Sequence, residues 1–188
     1  MARRTKAHTL TKKSGLFLLG TLLVTLIGLG ASSPRVQAAA IQVNTPDDER
    51  NTDGDCSLRE AIEAANTNLA VDACPAGQAA PNLDTITFDA STDGTPFVLL
   101  GAADEDGNAS GDLDIVDGGD LVIQGNGAAK TVIDGNGTDR VFHLCPGGGC
   151  ASTVTLRRLT IRNGSADFGG GILNEGAGLN VIDSTLGG

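Results

Sequence analysis

The residues best suited to chemistry are acidic. Asp104, Asp106, Asn108, Ser110 and Asp112 place oxygen-bearing side chains at alternate positions of one short segment. Hard cations such as calcium collect oxygen ligands in this way, and the spacing resembles the opening of an EF-hand-like loop. It departs from such a loop in having Ala109 where the turn glycine belongs and Ile115 in place of the bidentate glutamate. The segment is carried as a candidate calcium loop, against the plainer reading of a solvated acidic surface. Asp112, Asp114, Asp134 and Asp139, with Arg140 beside them, could supply paired carboxylates for acid–base attack on a glycosidic bond. Against that, aspartates next to glycine are ordinary turn residues, and Asp112 and Asp134 each lie directly beside a glycine. His143 lies inside the strand-like run Val141-Phe142-His143-Leu144 and reads as a bystander, packed or exposed. No catalytic residue is assigned.

The other reactive side chains are four cysteines, Cys56, Cys74, Cys145 and Cys150. An even count in an exported chain reads as disulfides, with three connectivities open. Proximity favours Cys56–Cys74 and Cys145–Cys150. No Cys-x-x-Cys or zinc-module spacing is present.

Export is read from the first forty residues. Arg3, Arg4, Lys6, Lys12 and Lys13 precede an uncharged apolar run, Leu16 to Leu29, and then Val36-Gln37-Ala38. This is the order of a secretory signal peptide over 1–38, cleaved after Ala38. The apolar run spans about 21 Å as a helix, short of the roughly 30 Å bilayer core, so no membrane span is expected in the mature chain. Residues 41–188 hold seven basic and 23 acidic residues, a net of −16. With no Trp or Tyr to stack bases, that charge excludes nucleic acid as a partner.

Two kinds of element must position these groups. Ser57-Leu58-Arg59-Glu60 forms a capping box, followed by Leu58, Ala61, Ile62 and Ala65 on one helical face. A helix over 58–66 is predicted, stopped by Asn66, with Leu58 and Ile62 plugging one end of a core. The alternative is a ligand-binding helix presenting Arg59 and Glu60. Short strands follow at 84–88 and 97–100. From Gly111 the chain repeats itself: Gly111-Asp112-Leu113-Asp114-Ile115 matches Gly119-Asp120-Leu121-Val122-Ile123. Val122-Ile123-Gln124-Gly125-Asn126-Gly127 matches a segment ten residues on, and Leu159–Gly164 aligns with Leu179–Ser184. Fixed-period similarity marks a repeat architecture. The reading is an all-β, parallel β-helix with two or three strands per coil. Its aliphatic core is Leu121, Ile123, Val132, Leu156, Leu159, Ile161, Leu179 and Val181, with Asn163 laddered over Asp183. The divisions are 1–38 signal peptide, 39–110 N-terminal cap segment and 111–188 β-helix repeats.

Cys56-Ser57-Leu58-Arg59-Glu60-Ala61 resembles the signature of the bacterial CSLREA-domain family, whose name spells those six residues. Phe168-Gly169-Gly170-Gly171-Ile172-Leu173-Asn174 is similar to the glycine repeats of polymorphic outer-membrane proteins. The resemblance covers nearly all of 41–188. It implies an exported, right-handed, pectin-lyase-like β-helix, usually longer than this chain, with no assigned catalytic residues. The chain stops inside what reads as another repeat, so a truncated fragment is expected. The function expected is a secreted or cell-surface binding and adhesion module, for carbohydrate or protein. The rival is a polysaccharide lyase or hydrolase. Against the rival, Asn51-Thr52-Asp53 lacks the later partners of a polygalacturonase set.

Overall fold

The computed structural model describes residues 39–116 and 118–187; the expected signal peptide, 1–38, lies outside them. The described elements are β1 (Ala39–Val43), α1 (Leu58–Thr67), β2 (Leu83–Phe88), β3 (Phe97–Val98), β4 (Leu113–Ile115), β5 (Asp120–Gln124) and β6 (Val132–Asp134). They continue with β7 (Phe142–Leu144), β8 (Thr153–Arg157), β9 (Thr160–Arg162), β10 (Ile172–Asn174), β11 (Gly178–Ile182) and β12 (Thr185–Gly187). The strands form three sheets, ordered β1-β2-β5-β8-β11, β3-β6-β9-β12 and β4-β7-β10. Every pairing between these strands is parallel. From β2 onward the chain visits the sheets in a fixed order, adding one strand to each in turn. Among the described residues the fold is thus all-β apart from one α-helix and a short 3-10 turn at Ala90–Thr92.

Like residues stack because register places them opposite one another. Ile41, Ile86, Ile123, Leu156 and Val181 form one row of the first sheet. Phe97, Ile133, Ile161 and Leu186 form a row of the second, and Leu113, Phe142 and Ile172 one of the third. Phe88 and Phe97 meet edge to face, with centroids 5.0 Å apart. Asp84 interrupts an aliphatic row formed by Leu121, Val154 and Leu179. It is buried there because the backbone N–H of Gln78 donates to both of its oxygens, at 2.9 and 3.1 Å.

The expected repeat alignment differs from this register. The matched segments around Ile115, Ile123 and Ile133 are successive steps through different sheets rather than stacked neighbours. Leu179 lies opposite Val154, twenty-five residues before it, and not opposite Leu159. Consequently Asn163 does not ladder with Asp183. Its amide donates instead to both oxygens of Asp134, at 3.0 Å each. Val132 is half-buried, and its neighbour Ile133 fills the core position. Leu179 is half-buried and Val181 39% exposed, because β11 is the margin of its sheet.

The helix forms where the capping box requires it. The Ser57 hydroxyl accepts from the Glu60 N–H (3.1 Å), and Glu60 Oε2 accepts from the Ser57 N–H (3.0 Å). Helix α1 runs to Thr67 rather than stopping at Asn66. Asn68 closes it in the left-handed region, at φ 57°. Asn66 has another use: its side chain donates to the Asp114 carbonyl (2.8 Å) and accepts from the Val116 N–H (3.0 Å). It thus pairs with the free margin of β4 as a neighbouring strand would. Leu58, Ala61, Ile62 and Ala65 are buried in the common core. Burial of a side chain the size of leucine or isoleucine contributes about 1.5–3 kcal/mol.

Arg59 and Glu60 face inward as well. The guanidinium, 2% exposed, grips the Asp48 carboxylate at 2.7 and 3.0 Å and donates to the carbonyls of Gly111 (2.8 Å) and Asp112 (2.7 Å). Glu60 is fully buried and also accepts from the Asn51 N–H at 3.0 Å. Neither is presented to a ligand. Arg59 fastens the segment before β4 to the helix.

Candidate functional site

Strands β4 and β7 are adjacent, and their register puts Asp114 opposite His143. In each strand these residues lie between apolar ones, Leu113 and Ile115 or Phe142 and Leu144, so they take the opposite face of the pleat. They are nonetheless buried, at 0% and 4% exposure. The segment 104–110 covers them. Its Asn108 N–H donates to Asp114 Oδ2 at 2.8 Å, and the Asn108 amide donates to the Arg59 carbonyl at 3.0 Å. The Glu105 carboxylate holds the turn by accepting from Gly107 (3.2 Å), Ala109 and Ser110 (3.0 Å).

His143 is the centre of the resulting cluster. Its Nδ1 lies 3.2 Å from Asp106 Oδ1, 3.5 Å from Asp114 Oδ1 and 3.3 Å from Arg140 Nη1. Its Nε2 lies 3.5 Å from Glu175 Oε2, and Glu175 is itself held by the Gly147 N–H at 2.7 Å. Arg140 reaches three further carboxylates: Asp112 at 3.1 Å, Asp139 at 3.6 Å and Asp104 at 3.9 Å.

Burial raises the Asp112 carboxyl to about 7, helped by the nearby charges of Asp114 and Asp139. Arg140 opposes that rise without cancelling it. Its charge is divided among several acids, and among the described residues neither Asp112 oxygen accepts a well-aligned hydrogen bond. Burial likewise lifts Asp114 to about 6, against the Asn108 hydrogen bond. Both groups can hold a proton near neutrality. Both are also fully buried.

Arg140 joins this cluster to a surface cleft of about 440 Å³, lined by Asp104, Asp139, Ser165, Asp167 and Phe168 among others. Phe168 stands 79% exposed on its lip.

The sequence candidates are therefore only partly gathered. Asp112, Asp114, Asp139 and Arg140 come together, whereas Asp134 sits apart. Burial would raise the Asp134 carboxyl, but hydrogen bonds from the Asn136 N–H, Asn163 and Arg162 outweigh it and hold the group low. Asp112 and Asp114 belong to the approach and body of a strand rather than to a turn. The five residues of the calcium loop turn to different partners. Asp104 is on the surface near Arg140, Asp106 faces His143, and the Asn108 amide meets Arg59. The Ser110 hydroxyl donates to the Ala102 carbonyl at 3.1 Å, and Asp112 meets Arg140. A second acidic trio, Glu49, Asp53 and Asp55, gathers near the start of the helix. Burial and the charge of Asp53 raise Glu49 and Asp55. Disulfides join Cys56 to Cys74 and Cys145 to Cys150. No helix among the described residues is long and apolar enough to cross a membrane.

His143, Glu175 and Phe168 were not among the sequence candidates. The signal for His143 was the match between Leu113-Asp114-Ile115 and Phe142-His143-Leu144, two apolar–polar–apolar triplets that stack. Comparison with protein-family models, curated proteins and solved structures finds no match to this chain.

Proposed function

We propose that the chain is an exported, right-handed parallel β-helix of the CSLREA kind that serves as a carbohydrate-binding module at the cell surface or in the medium. Right-handedness is what crossovers between parallel strands of one sheet adopt almost without exception. Strands added to three sheets in rotation support the solenoid reading, and two disulfides are consistent with an oxidising compartment.

The observation that carries the binding reading is Phe168, an exposed aromatic face beside a polar cleft. A pyranose ring stacks its C–H face on such a surface and offers hydroxyls to Asp139, Asp167 and Arg140. Net charge favours a neutral oligosaccharide over a polyanion. Calorimetric titration of the purified protein with neutral oligosaccharides and with pectin and alginate tests this. The expected result is binding of a neutral sugar, weakened at least tenfold by Phe168→Ala, with no new reducing or unsaturated ends. Release of such ends, lost in Asp139→Asn, would replace the binding reading with a lyase or hydrolase. Tight binding of polyanions alone would also overturn it.

A further inference from the structure

We propose that Asp106, Asp114 and His143 form a binding site for a divalent first-row metal ion, with zinc the best match. The site is independent of the sugar-binding reading. Its potential ligand atoms lie within 4.8 Å of one another. The two distances from His143 Nδ1, 3.2 Å to Asp106 Oδ1 and 3.5 Å to Asp114 Oδ1, match the edges of a tetrahedron. Zinc bonds of about 2.0–2.1 Å to nitrogen and oxygen give edges of about 3.3 Å. An ion could therefore enter with little movement of the backbone.

Three further features point the same way. Asp114 is fully buried, and among the described residues its Oδ1 has no hydrogen-bond partner while facing the imidazole. A carboxylate oxygen in that position is costly unless a cation or donor meets it. The other imidazole nitrogen faces Glu175 Oε2 at 3.5 Å. Metal-bound histidines characteristically direct their second nitrogen to a carboxylate, which fixes the ring and its tautomer. Finally, Asp106 is 66% exposed and stands on the covering segment, so the ion has an entry path and a place for water as the remaining ligand.

Arg140 Nη1 competes for the same Nδ1, at 3.3 Å. It has Asp112, Asp139 and Asp104 to turn to when the nitrogen is taken by metal. The imidazole ligand favours zinc or its first-row neighbours over calcium, which prefers six to eight oxygens.

The test uses the full chain, stripped with a chelator and titrated with zinc alone, with calcium alone, and with cobalt(II) as a spectroscopic stand-in. One zinc per chain is expected, and cobalt should develop the visible absorption of a low-symmetry site with nitrogen and oxygen ligands. Asp106→Ala, at an exposed position that leaves the fold intact, should abolish both signals. Glu175→Gln should weaken zinc by about 10-fold or more without removing a ligand. Asp53→Asn, in the other acidic trio, should leave the titration unchanged. Zinc binding that survives Asp106→Ala, or is lost in Asp53→Asn, overturns the assignment. So does a site that takes calcium in preference to zinc.

Discussion

Replacing Asp112 with asparagine should make the protein more stable at alkaline pH and leave it unchanged in acid. Asp112 is fully buried, and its folded pKa is about 7 against 3.8 for the free side chain. Between those values the folded state holds a proton that the unfolded chain has released. Stability therefore falls as pH rises through this window. Each pKa unit corresponds to about 1.4 kcal/mol, so the whole shift is worth roughly 4 kcal/mol at most, since Asp114 competes for the same protons. Asparagine keeps the shape and has no charge to bury. Arg140 keeps Asp139 and Asp104 as partners. Urea unfolding of both proteins, with chelator present, between about pH 4 and pH 8 reads the difference directly. Asp134, Asp89 and Asp93, whose carboxyls are held low, act in the opposite sense at lower pH but cancel between the two proteins. The expected difference is near zero at the acid end and a few kcal/mol in favour of Asp112→Asn at the alkaline end. A difference that stays flat, or that favours the wild type increasingly as pH rises, would refute the argument that burial and neighbouring carboxylates outweigh Arg140.

Two further outcomes are expected. The denatured, unreduced mature protein should contain no thiol that reacts with Ellman's reagent, and opening the Cys56–Cys74 bridge, which closes a separation of 18 residues, should cost about 3 kcal/mol of stability; two or more reactive thiols would sink the assignment. Arg59→Leu should cost about 3–5 kcal/mol, because it strands the nearly buried Asp48 carboxylate and two backbone carbonyls; unchanged urea unfolding would show that the segment before β4 is held by something else.

What could be read from the sequence divides along the range of the interactions involved. The helix was legible because its start is decided within four residues: Ser57 and Glu60 satisfy each other's backbone donors whatever the rest of the chain does. Its end was misjudged because Asn66 and Asn68 are equally good local stops. Only the presence of β4 assigns Asn66 to strand pairing and leaves Asn68 to close the helix. Parallel stacking was legible as a class, since short aliphatic strands between glycine turns have few other ways to bury themselves. Register was not, because it depends on the length of each excursion between strands of one sheet. Asp84 is followed after 37 residues by Leu121, Leu121 after 33 by Val154, and Val154 after 25 by Leu179. A fixed period cannot recover those unequal steps. The same limit concealed the cluster around His143. Asp114 and His143 meet only because 29 residues separate them. Asp106 joins them only because the excursion before β4 folds back over the outer face of the strand. Two polar side chains, Asp114 and His143, stack on that face. Left open, they would be solvated and ordinary. Once covered, they need counter-charges, and the covering segment brings Asp106 and Asn108 to one side while Arg140 and Glu175 close the others.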